Sequence, residues 1–174
     1  MAIRPIVQHP DERLRVKCKR VNKLDSRLQQ LIDDMVETMK DGNGLGLAAP
    51  QVGVPLRITT MQLPEDYDDP RSNELLILVN PEIIKSAGEW SPDEGCLSIP
   101  GYVANVRRFW TVTVKALDRK GRETRIKADG LLGQALQHEI DHLNGILFID
   151  HLESLGQLRR SESESPSKTE AVKA

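Results

Sequence analysis

The residues best suited to chemistry lie at His138-Glu139-Ile140-Asp141-His142. Two histidines four positions apart project from one side of a helix, close enough for both imidazoles to meet a single cation. With about 100° between successive residues, His138, His142, Leu131 and Ala135 fall within an arc of about 60°, with Glu139 at its edge. The pair therefore sits on an apolar, core-facing stripe, with Gln137 and Asp141 towards the other side. A bare histidine pair at this spacing is commonly accidental, or a hydrogen-bonded pair in a core. An ionised glutamate turned inward is costly unless it meets a cation or a proton, and that favours a metal site with an adjacent base.

Such a cation needs further ligands. The longer protease pattern HExxHxxGxxH has Gly145 in its glycine position, but its third-ligand position holds Phe148, which has no donor atom. His151 lies beyond that position, and Glu153 and the later glutamates lie on no convincing second helix. A free cysteine is more often a small buried hydrophobe than a ligand. Cys96, within Glu94-Gly95-Cys96-Leu97-Ser98, would nonetheless complete one thiolate and two imidazoles with a fourth position open to water, the pattern of a catalytic site. Cys18, between Lys17 and Lys19, reads as structural. The stretch Gly44-Leu45-Gly46-Leu47-Ala48-Ala49-Pro50-Gln51-Val52-Gly53 lacks the GK[ST] ending and the preceding strand of a phosphate loop. Its small residues permit close backbone approach, and Gln51 offers a neutral amide donor.

Elements must bring these groups together. Leu28, Leu31, Ile32, Met35, Val36 and Met39 form one stripe of a helix over Ser26–Asp41, with Ser26 and Gln29 as a capping box and Gly42 as its stop. Asp129 is placed to cap a second helix, which carries the histidine motif and ends at Gly145. Strand patterns cover 56–61, 75–79, 83–86, a long stretch 103–117, and 124–128 after a turn at 118–121. The strands follow one another rather than alternate with helices. The expected fold is α+β: mainly antiparallel sheets packed around the helix with His138 and His142, and a scaffold helix before the glycine-rich stretch. The acidic, proline-containing stretch 64–73 reads as a solvated loop. Residues 159–174 hold one aliphatic side chain larger than alanine, Val172, too little to offset the entropy of ordering. The expected organisation is a catalytic domain over 1–158 and a disordered Ser/Glu/Lys tail over 159–174.

Composition closes off other classes. The 174 residues carry 24 Lys+Arg against 26 Asp+Glu, a net charge of -2, so no global basic footprint points to nucleic acid or an anionic membrane. No apolar run approaches the ~18 residues of a membrane span, and the N-terminus has no signal-peptide core. Two cysteines cannot make a disulfide scaffold, which fits a reducing compartment and a cytoplasmic protein, or a processed organellar one.

Taken together, Gly44-Leu45-Gly46-Leu47-Ala48-Ala49-Pro50-Gln51, Glu94-Gly95-Cys96-Leu97-Ser98 and His138-Glu139-Ile140-Asp141-His142, in this order and at these separations, resemble the three signature motifs of the peptide deformylases. The similarity runs from about Pro5 to Leu155, and the Ser/Glu tail lies outside it. Such enzymes remove the formyl group from the N-terminal formylmethionine of new polypeptides. The resemblance implies Cys96, His138 and His142 as ligands of one divalent ion, with water in the fourth position and Glu139 as the base that later protonates the leaving amine. It further implies that the Gln51 side chain and the Leu97 backbone N–H meet the developing oxyanion, and that the Gly46 backbone pairs with the substrate. Leu45, Leu131 and Ala135 are the expected methionine pocket. Ligand type alone makes zinc the default, whereas the resemblance implies iron(II) as the natural ion, with zinc, nickel or cobalt able to replace it. The implied partners are N-formylmethionyl peptides and nascent chains, with a transient ribosome contact to which the basic pair Arg159-Arg160, at the end of an expected terminal helix, would be suited. Two other readings stay open on residues alone: a zinc peptidase with its third ligand downstream, and a structural metal or protein-binding module.

Overall fold

A computed structural model describes residues 1–161, so the expected tail beyond Ser161 lies outside the described residues. Helix α1 (Ser26–Asp41) precedes strands β1 (Gly46–Ala48), β2 (Ile58–Gln62), β3 (Leu75–Ala87), β4 (Asp93–Cys96), β5 (Ile99–Asn105), β6 (Thr111–Leu117) and β7 (Glu123–Asp129). Helix α2 (Gly130–Leu143) and a short strand β8 (Arg159–Arg160) follow. One antiparallel sheet has the order β1-β2-β3-β6-β7, and a second has the order β4-β5-β8. The α+β architecture with antiparallel sheets around the motif helix is the one the strand order implies.

Helix α1 forms where its apolar stripe predicts, but its cap is one residue earlier. Asp25 accepts hydrogen bonds from the N–H groups of Arg27 and Leu28, both at 3.1 Å, so the expected capping box at Ser26 gives way to an aspartate cap. Leu31, Ile32, Met35 and Met39 then pack with Leu47, Ile58 and Val79 of the large sheet. The expected strands 75–79 and 83–86 are one strand, β3, bent at Asn80-Pro81. Pro81 has no N–H for the ladder, and Asn80, at φ +52°, exchanges two hydrogen bonds with the Val21 backbone at 2.8 and 2.9 Å.

The expected strand 103–117 is instead the end of β5 and all of β6, which lie in different sheets. Between them Arg108 turns inward to meet Glu94 and Asp141, and the chain changes sheet to follow it. The 118–121 turn forms as expected, with Gly121 at φ +80° and the Asp118 side chain accepting from the Lys120 and Arg122 N–H groups.

Helix α2 lies between the sheets, and all but Leu131 and Asp141 of its residues are buried. Asp129 takes the N-cap position without making a side-chain cap bond. Leu132, Leu136 and Ile140 pack on Val112, Val114 and Ile126 of the large sheet. The face expected to look outward is covered as well, because Gln137 is buried and closes a two-way hydrogen-bonded pair with the Phe109 backbone, 2.9 Å each. At the far end, the buried Arg57 guanidinium donates to the Leu143 carbonyl (3.3 Å) and to Asn144 (2.9 Å), a cation at the negative pole of α2. No terminal helix ends at Arg159-Arg160; these residues form β8 on the edge of β5, so the ordered domain runs past 158.

Candidate active site

His138 and His142 sit one turn apart on α2 with their Nε2 atoms 3.1 Å apart. Cys96, at the end of β4, brings its Sγ within 3.3 Å of His142 Nε2, and the three donor atoms lie within 4.8 Å of one another. Tetrahedral bonds of about 2.0–2.1 Å to nitrogen and about 2.3 Å to sulfur put donors roughly 3.3–3.6 Å apart, so this set has the right size for one ion. Burial would lower the His138 pKa, but hydrogen bonds with Cys96 and Glu94 outweigh it and raise it well above its ordinary value, so His138 carries a proton that a bound cation would have to displace. His138 offers Nδ1 to Glu94 at 2.6 Å, leaving Nε2 for the centre, and burial holds His142 well below its ordinary pKa, so neutral. Ser98 N–H (3.4 Å) and the Gln51 amide (3.6 Å) both point at Cys96 Sγ, donors that suit a thiolate.

Glu139 follows His138 and turns towards β1. It is 3% exposed, its Oε2 has no hydrogen-bond partner among the described residues, and burial pushes its pKa up to about 7. Gly46 is what makes room for it: a Cβ there would overlap Glu139 Oε1 and stand 2.8 Å from Cδ and 2.9 Å from Cγ. Gln51 is buried in the turn after β1, where its Oε1 accepts from Ala48 N–H at 2.9 Å and its amide donates to Ser98 Oγ at 3.1 Å.

A cleft of about 430 Å³ opens over these groups. Leu45 and Gly46 line one wall, Gly95, Cys96 and Leu97 another, and Leu131, Ala135, His138 and Glu139 the floor. Every residue expected in the catalytic site or substrate pocket thus borders the cleft except His142, which is buried beneath it and reaches Cys96 and His138.

A family model for polypeptide deformylase matches residues 3–158. The chain belongs to the polypeptide deformylase family. A peptide deformylase of Dehalococcoides mccartyi is 52% identical over 158 residues, covering 91% of each chain. Among solved structures, a peptide deformylase from Legionella pneumophila superposes with a TM-score of 0.83 at 50% identity, covering 90% of this chain and 89% of its own. One from Ehrlichia chaffeensis in complex with actinonin gives 0.85 at 42% identity, covering 90% and 92%.

The deformylase site also contains residues that sequence reasoning left without a part. Glu94, although it opens the second motif, was not singled out. Its carboxylate holds His138 Nδ1 and is gripped by Arg108, whose Nε lies 3.0 Å from Glu94 Oε2. Burial alone would raise the Glu94 pKa, but hydrogen bonds from His138 and Arg108 outweigh it and hold the group at about 2. Arg108 also donates to Asp141 (2.7 Å), which shares a hydrogen bond with His151 at 2.8 Å, so His151 is linked to the site through Asp141 and Arg108. Glu94 could have been found, as a carboxylate beside a ligand candidate; nothing local marks Arg108.

Proposed function

We propose that this chain hydrolyses the formyl group from the N-terminal formylmethionine of new polypeptides, with one divalent ion held by Cys96, His138 and His142. The carrying observation is the convergence, at the base of one cleft, of three donor atoms within 4.8 Å of one another and a buried carboxyl oxygen without a hydrogen-bond partner among the described residues. When bound, a divalent ion there supplies a Lewis acid that acidifies water and polarises the formyl oxygen. The expected natural ion is iron(II), with zinc, nickel or cobalt able to take its place.

Glu139 takes the proton of the attacking water on its unpartnered oxygen and delivers it to the departing methionine amine. A carboxyl near neutrality can do both, because neither form is strongly favoured. Negative charge collects on the formyl oxygen, and the Gln51 amide and the Leu97 backbone N–H are its donors. Gln51 is held for this by its Oε1 bond to Ala48, which leaves the NH2 group facing Cys96 and Ser98. The backbone of Gly46 pairs with the peptide main chain as a short added strand. Leu45, Leu131 and Ala135 receive the methionine side chain. The substrates are N-formylmethionyl peptides and nascent chains, which sets the work in the compartment where these are made.

The deciding experiment is formate release from a formyl-Met peptide by protein prepared anaerobically, with the N-acetyl peptide as control. Cys96→Ala is expected to lose bound metal, and Glu139→Gln to keep metal while turnover falls by about a hundredfold or more. Stoichiometric metal in Cys96→Ala would favour a peptidase ligand set instead. Unchanged function in Glu139→Gln would favour a structural centre.

A further inference from the structure

The β4–β5 hairpin is out of step beside the cleft. Cys96 faces Ile99 while Gly95 faces Val103, which leaves Pro100, Gly101 and Tyr102 as a bulge on β5. Bulges beside active sites re-aim side chains, and this one, with Gly101 at φ +82°, carries a 39% exposed Tyr102 to the rim of the cleft. Strand β8 pairs with that bulge: Arg160 lies opposite Tyr102, Arg159 opposite Val103, and Ser161 N–H donates to the Gly101 carbonyl at 2.9 Å.

Opposed residues on paired strands share a face. The Arg160 guanidinium stands 5.9 Å from the centre of the Tyr102 ring, a cation on an aromatic platform. The two adjacent arginines are differently employed. Arg159 is paired with Asp93, whereas Arg160 meets no carboxylate among the described residues. The carboxylates that line the cleft are otherwise committed: Asp93 to Arg159 and Asn105, Glu94 to Arg108 and His138, Glu139 to the floor. Among the described residues, the rim therefore presents a positive charge that no carboxylate meets.

We infer that Arg160, seated on Tyr102, is a specificity-determining residue that favours an acidic side chain on the substrate residues after the methionine. This rests on the deformylase reading above: a formyl group at the donor set and a methionine against Leu131 and Ala135 leave the wall of Gly95, Gly101, Tyr102 and Val103 to the residues that follow. The ring limits the freedom of the guanidinium, so less order is lost when a carboxylate arrives. An exposed pair of this kind changes kcat/KM by about two- to fivefold and weakens with salt.

The test uses full-length, metal-loaded protein and amidated peptides formyl-Met-Xaa-Ala and formyl-Met-Ala-Xaa, with Xaa as Glu, Gln or Lys. At low salt kcat/KM is expected to fall in the order Glu, Gln, Lys in at least one series. Arg160→Gln should level the order, Arg160→Glu should invert it, and Arg160→Lys should keep part of it, each rate being taken relative to the Gln peptide of the same variant. Equal rates for the Glu and Lys peptides in the native protein, or an order that survives in Arg160→Gln and Arg160→Glu, would overturn the inference and leave the deformylase reading intact. Failure of every peptide to release formate would overturn both.

Discussion

On the deformylase reading, Glu139 would owe its basicity to how little water reaches it, and its place against β1 depends on an absent side chain. Gly46 lies against the carboxylate so closely that a methyl group there must displace it. Gly46→Ala is therefore expected to fold and keep its metal while kcat falls by about a hundredfold, the cost of moving a catalytic group by roughly an ångström. Metal analysis beside formate release separates this from loss of the centre. Glu94 presents the opposite case, a residue whose charge matters more than its shape. Glu94→Gln keeps the volume but removes the anion that faces both Arg108 and His138. With Asp141 as its one remaining carboxylate, the buried Arg108 should cost the fold about 3 kcal/mol, read from urea unfolding. Metal affinity should fall by about 10–100-fold, because His138 loses the partner that orients it.

At the scale of elements, the ends of α2 decide whether its histidines meet Cys96. Gly145 stops the helix at φ +76°, and a Cβ there would overlap the Arg15 carbonyl oxygen and stand 2.8 Å from its carbon. Backbone cannot swing aside as a side chain does, so Gly145→Ala combines left-handed strain with a steric clash and is expected to cost at least about 2 kcal/mol. By contrast Asp25→Ala, which removes only the α1 cap, should cost about 1 kcal/mol and leave formate release unchanged. Thermal unfolding of the two variants side by side tests the contrast. Both helices were legible in the sequence because a 3.6-residue stripe is a local signal, and the three motifs were legible because each is contiguous. The sheet change between β5 and β6 was not. It is made by Arg108 finding Glu94 and Asp141, partners distant in sequence, and a run of valines and threonines reads alike on either side of the break. The same limit hid Gln137, polar in type yet buried, because only the fold reveals that α2 is covered on both faces.

For the molecule as a whole, the N-terminal segment acts as a clasp. Ala2 N–H and the Arg4 side chain donate to Asp34 on α1, and Arg4 N–H donates to Thr38, each at 2.9 Å. Farther on, Val7 N–H meets the Gln51 carbonyl at 2.7 Å and His9 N–H the Ser98 carbonyl at 2.9 Å, so one strap crosses the scaffold helix and both loops that build the cleft. Asp34 is its anchor. Burial alone would raise the Asp34 pKa, but hydrogen bonds from Gln30, Arg4 and the Ala2 backbone outweigh it and hold the group below its ordinary 3.8. A carboxylate depressed by folding contributes stability that is fully present above its unfolded pKa and is lost as pH falls through the folded one. Asp34→Asn removes that contribution at every pH. Native protein should therefore be more stable than the variant at pH 7, and the gap should narrow as pH drops below about 4, where even the unfolded carboxyl protonates. Urea midpoints from pH 7 to pH 3 measure it, and a gap that stays constant or widens on acidification would show that Asp34 acts through its shape alone. Because the clasp also holds the Gln51 and Ser98 turns, Asp34→Asn at neutral pH is expected to lower kcat as well as raise KM: loosening the Gln51 turn shifts the amide proposed to meet the oxyanion, a contact made in the transition state.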